Sequence, residues 1–78
     1  MSGTQRYVIC IRNPGHAAAL ELRKVYRSLD DESAETRGLL RVIDESGEDY
    51  LYPCSFFAVI EVPREARHVF RADKTRAA

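Results

Sequence analysis

The stretch that most constrains this chain is residues 39–52, LLRVIDESGEDYLY, where side chains alternate on either side of Ser46-Gly47. Successive strand residues point to opposite faces, so a period of two marks a strand with one face buried. Leu40 and Val42 alternate with Leu39, Arg41 and Ile43, Ser-Gly favours a reversing turn, and Tyr50-Leu51-Tyr52 returns. That pattern predicts a β-hairpin around residues 45–48. Pro53 has no amide hydrogen and interrupts the returning strand. Cys54-Ser55-Phe56 then fits a single 3₁₀ turn, and residues 57–62 make a last strand that Pro63 stops.

Upstream, residues 6–12 (RYVICIR) read as a buried strand ended by Asn13-Pro14-Gly15. Residues 17–29 carry two patterns. Leu22, Val25, Tyr26 and Leu29 fall at helical spacing behind three alanines, which favours a helix. As a strand, Leu20 and Leu22 share one face while Val25 and Leu29 share the other, which requires a bulge near Arg23-Lys24. Local propensity leans to the helix and the downstream hairpin to the strand. Residues 31–37 suit one helical turn, with Asp30 or Asp31 as its cap and Arg37-Gly38 as its end. A short helix through Ala66, Val69 and Phe70 follows Pro63, and residues 73–78 are expected to be a disordered tail.

The order strand, tight turn, strand, proline-led 3₁₀ turn, short last strand resembles the second half of an SH3-like barrel. It is carried by Val42-Ile43, Leu51-Tyr52, Pro53-Cys54-Ser55-Phe56 and Phe57-Ala58-Val59, about a third of the chain. The resemblance implies a mainly β fold, a small barrel of about five strands. In it Tyr7 to Ile11 open the barrel, residues 20–29 form the long strand before the hairpin, and residues 30–38 form an enlarged loop. Pro53 and Phe56 match the proline and the following tyrosine with which peptide-binding members grip proline-rich ligands. The tryptophan of that groove is missing, as are the paired tyrosines of its first strand. The resemblance therefore implies the fold more than polyproline binding. The run RVIDESGEDYLYP, residues 41–53, also resembles small uncharacterised bacterial proteins of similar length.

Seventy-eight residues make one domain, residues 1–72 without the tail. A chain this short buries only ~60% of its unfolded surface and encloses no large pocket, so a ligand must use a groove or a surface. Cys10 and Cys54 are too few for a disulfide framework, which points to a reducing cytoplasm. No apolar run approaches the ~20 residues of a membrane span. Net charge is zero, but the signs are sorted. Arg6, Arg12, Arg23, Lys24 and Arg27 precede an acidic stretch from Asp30 to Asp49, and the chain turns basic again after Pro63.

Cys10, His16, Cys54 and His68 lack the close pairing of a zinc site, so no metal or other cofactor is expected. The four carboxylates of residues 44–49 read as a solvated hairpin tip. The expected function is non-catalytic binding of a protein partner or of a second copy. Tyr26, Tyr50 and Tyr52 would provide contact area, with Arg23, Arg27 and Arg41 steering acidic partners. One alternative is nucleic-acid binding, with the same tyrosines stacking on bases. A second is a thiol enzyme that uses Cys54 with His16 or His68 as base.

Overall fold

The computed structural model describes residues 5–71; the expected tail lies outside them. The chain runs through β1 (Gln5–Cys10), β2 (Val25–Leu29), α1 (Glu32–Glu35), β3 (Leu39–Ile43) and β4 (Asp49–Pro53). A 3₁₀ turn (Cys54–Phe56), β5 (Phe57–Ile60) and α2 (Arg64–Arg71) complete it. The five strands form one antiparallel sheet in the order β4-β3-β2-β1-β5. The fold is mainly β, a small barrel-like sheet that curls without closing.

The local signals act where the sequence places them. Gly47 takes φ +88° at the hairpin tip. The Asp44 carboxylate there accepts from the Ser46 amide (2.9 Å) and hydroxyl (2.6 Å). Asp31 caps α1 by accepting from the Ala34 amide at 3.0 Å, and Gly38, at φ +78°, follows the helix. The turn after Pro53 is 3₁₀ and lowers Phe56 and Phe57 into the core.

The ambiguous residues 17–29 resolve as a short strand behind a loop. The helical spacing of Leu22, Val25, Tyr26 and Leu29 is incidental to β2. The strand is also shorter than expected, starting at Val25 rather than Leu20. Before it, the Arg23 amide donates to the Cys10 carbonyl (2.7 Å), while the Cys10 amide donates to the Lys24 carbonyl (2.9 Å). Two residues thus oppose one, a G1-type bulge, and Arg23 sits at its left-handed position with φ +67°. Leu20 and Leu22 do not share a face: Leu20 is fully buried and Leu22 is exposed. Leu20 reaches the core because the loop folds back. The Asn13 side-chain amide donates to the Leu20 carbonyl at 2.8 Å, and the Glu45 amide donates to Ala19 at 3.0 Å.

Val8, Cys10, Tyr26, Leu40, Val42, Tyr52 and Phe57 line the inner face of the sheet, with Leu20 and Phe56 closing over them. In β2 and β3 every second residue is buried, as period-two patterning requires.

Candidate interaction surface

The three tyrosines do not form the exposed patch expected of them. Leu40 pairs with Tyr52, which puts Tyr52 on the inner face, and Tyr26 lies there beside Val8. Each buried ring must satisfy its hydroxyl. Tyr52 donates to Asp44 at 2.5 Å, and Tyr26 donates to Glu45 at 2.5 Å while accepting from the Glu21 amide at 2.7 Å. Burial first, and then the adjacent carboxylate, push both phenols well above their usual range. Burial pushes the carboxyl of Asp44 up, but hydrogen bonds from Ser46 and Tyr52 outweigh it and hold Asp44 below the usual range. Glu45 follows the same pattern, with Lys24 and Tyr26 as donors. Only Tyr50 of the three is exposed, beyond the core at the Asp49 end of β4.

The three arginines are likewise dispersed. Arg41 bridges Asp31 at 2.7 Å and Asp49 at 3.0 Å, tying the cap of α1 to β4. It is a structural clamp, and its charge is spent within the molecule. Arg27 is half-buried on the outer face, opposite Tyr7. Arg23 is exposed at the bulge. The six residues thus occupy both faces of the sheet and one loop.

For the thiol reading, Cys54 is half-buried and packs against the core. The exposed His16 sets its ring on Tyr52 (5.3 Å between centroids) and Phe56 (5.9 Å). Cys10 is buried and donates to the Arg12 carbonyl at 3.3 Å; burial pushes its thiol up, only partly offset by that bond. Among the described residues no three His, Cys, Asp or Glu side chains converge as a metal site.

What the structure does assemble is an apolar strip on the outer face of β5, β1 and β2. Tyr7 sits between Ile60 and Arg27, and Ile9 between Ala58 and Val25. Beyond them come Ile11, 53% exposed, and Leu22, 40% exposed, on either side of the bulge, with exposed Arg12 and Arg23 next to them. The signal for this strip was present in residues 7–11, which are apolar at every position. One core layer accepts only alternate residues of a strand, so Tyr7, Ile9 and Ile11 had to face away from it.

No family model matches the chain, and neither a curated protein nor a solved structure matches it. Among the described residues no helix is long and apolar enough to cross a membrane.

Proposed function

We propose that this chain is a non-catalytic protein-interaction module of SH3-like architecture, acting in a reducing cytoplasm through the outer face of β5, β1 and β2. The observation that carries this reading is the strip Tyr7, Ile9, Ile11, Leu22 and Val25, which lies outside the core and is bordered by Arg12 and Arg23. Apolar residues gathered beside exposed cations suit a protein partner with an apolar centre and an acidic rim. The strand order and the proline-led 3₁₀ turn support the SH3-like assignment.

The test compares wild type with an Ile11→Glu/Leu22→Glu double variant in affinity capture, with nuclease treatment and at two salt concentrations. Both positions are exposed, so circular dichroism should show an unchanged fold. A protein captured by wild type, resistant to nuclease and lost with the variant supports the outer face. Equal capture by the variant sinks it, and recovery of nucleic acid with steep salt dependence moves the function to the nucleic-acid alternative.

A further inference from the structure

The two edges of the sheet are defended unequally. In an antiparallel pair, residues that exchange hydrogen bonds alternate with residues whose backbone groups point away. The Ile11 amide donates to the Phe56 carbonyl at 2.8 Å, in step with the pairing of Ile9 with Ala58 and Tyr7 with Ile60. Ala58 and Ile60 therefore turn their backbone groups toward β1, and Val59 turns its amide and carbonyl to the open side together with the Phe57 carbonyl, while the Phe57 amide closes the 3₁₀ turn by donating to the Cys54 carbonyl. On β4 the bond from the Asp44 amide to the Glu48 carbonyl (3.1 Å) sets the alternation, so Asp49, Leu51 and Pro53 face outward. Pro53 has no donor to offer, and Asp49 places a carboxylate at the rim.

Proline and charge are the usual protections of an edge strand, and β4 has both. β5, Phe-Ala-Val-Ile, has neither. Ala58 is exposed and Val59 is 62% exposed, the largest value among the exposed large hydrophobic side chains. A groove of about 570 Å³ runs past this edge between β5 and α2, lined in part by Tyr7, Val59, Ile60, Val62 and Arg67.

We propose that β5 pairs antiparallel with β5 of a second copy, about a two-fold axis at Ala58, and joins the two sheets into one. The outward backbone groups fit that axis, since Phe57 of each copy falls opposite Val59 of the other and its carbonyl accepts from that Val59 amide, one bond on each side of the axis. Phe57 and Val59 point to the same face, so the exposed Val59 side chain packs beside the partner's Phe57. Ala58 meets its own copy, and its methyl group leaves the axis uncrowded. Charge agrees as well. Glu61 of each copy arrives at the Phe56 end of the other, where Arg12 is anchored by a bond from its amide to the Phe56 carbonyl (3.2 Å). An acid thus meets a base twice, once on each side of the axis.

The inference goes beyond the outer-face reading, because Ile11 and Leu22 can hold a partner on a strictly monomeric chain. The test is light scattering after size exclusion on the full chain, from micromolar to millimolar, with Val59→Lys and Val59→Pro beside wild type. The Val59 amide faces outward, so proline there removes no internal hydrogen bond, and circular dichroism confirms that the variants fold. Wild type is expected to double its mass with concentration while both variants stay monomeric. Hydrogen exchange at the Val59 amide should slow as wild type dimerises. A wild type that is monomeric throughout, or a dimer that tolerates both variants with the Val59 amide unprotected, overturns the proposal. Capture of a foreign extended segment by a monomeric chain also overturns it.

Discussion

Tyr52→Phe removes one oxygen atom from a ring that is 5% exposed, and it isolates the bond that fixes the hairpin tip. That hydroxyl is one of the donors that keep the Asp44 carboxylate ionised at 6% exposure. A hydrogen bond to a charged group is worth ~1.5–3 kcal/mol, and removing the donor leaves the carboxylate short of a partner. A loss of ~2 kcal/mol is expected at neutral pH. At ~2.1 cal/mol/K per residue, the unfolding entropy of a 78-residue chain is ~0.16 kcal/mol/K, so the melting midpoint should fall by ~12 °C. Asp44 has a lower pKa folded than unfolded, so its contribution is complete above the unfolded value of ~3.9 and is lost as pH falls through the folded value. The gap between wild type and Tyr52→Phe should therefore narrow below pH ~4 toward the ~1 kcal/mol of a neutral bond. Urea unfolding followed by circular dichroism at neutral and acid pH, with Asp44→Asn completing a double-mutant cycle, reads all of this. A Tyr52→Phe protein within ~0.5 kcal/mol of wild type at pH 7, or a gap that is the same at both pH values, would mean that this hydroxyl does not hold the Asp44 carboxylate.

Three further outcomes are expected. Ser28 is 1% exposed and its hydroxyl has no hydrogen-bond partner among the described residues, so Ser28→Ala should hold or raise stability by up to ~1 kcal/mol in urea titrations; a loss of that size would mean the hydroxyl is satisfied. Arg23 bears the left-handed strain of the bulge, and Arg23→Gly should add ~0.5–1 kcal/mol after the entropy cost of glycine, read from the same titrations. Cys10 is fully buried with a raised thiol pKa, so mass spectrometry should find it unalkylated until the chain unfolds. Rapid labelling of Cys54 at neutral pH in the same experiment would support the thiol-enzyme alternative.

What was legible in the sequence was local. The hairpin, the 3₁₀ turn and the cap at Asp31 are each set by a few neighbouring residues whose backbone preferences admit little else, whereas the bulge at Arg23-Lys24 follows only once residues 17–29 are a strand, because Arg23 itself disfavours the left-handed position it takes. The tyrosines were misjudged because their environment is set from a distance. Tyr50 and Tyr52 share a face, but whether that face is the core depends on pairing with β3, and the partner of Tyr26 is Glu45, on the far side of the sheet in sequence. Arg41 looked available for the same reason, since its two acids come from a helix cap and a neighbouring strand. Leu20 and Leu22 differ only through the loop that carries one inward, and hydrogen bonds from Asn13 and Glu45 hold that loop.

The place of β1 has a consequence for how the molecule is made. β1 precedes the other described strands, yet it lies between β2 and β5, so its second neighbour is synthesised after the other four described strands. The β2–β3–β4 portion can assemble on the ribosome while one side of β1 stays unsatisfied until Ile60 has emerged to meet Tyr7. During that interval a neighbouring nascent chain presents the same missing strand. Crowded synthesis therefore favours exchanged dimers, in which β5 of one molecule completes the sheet of another.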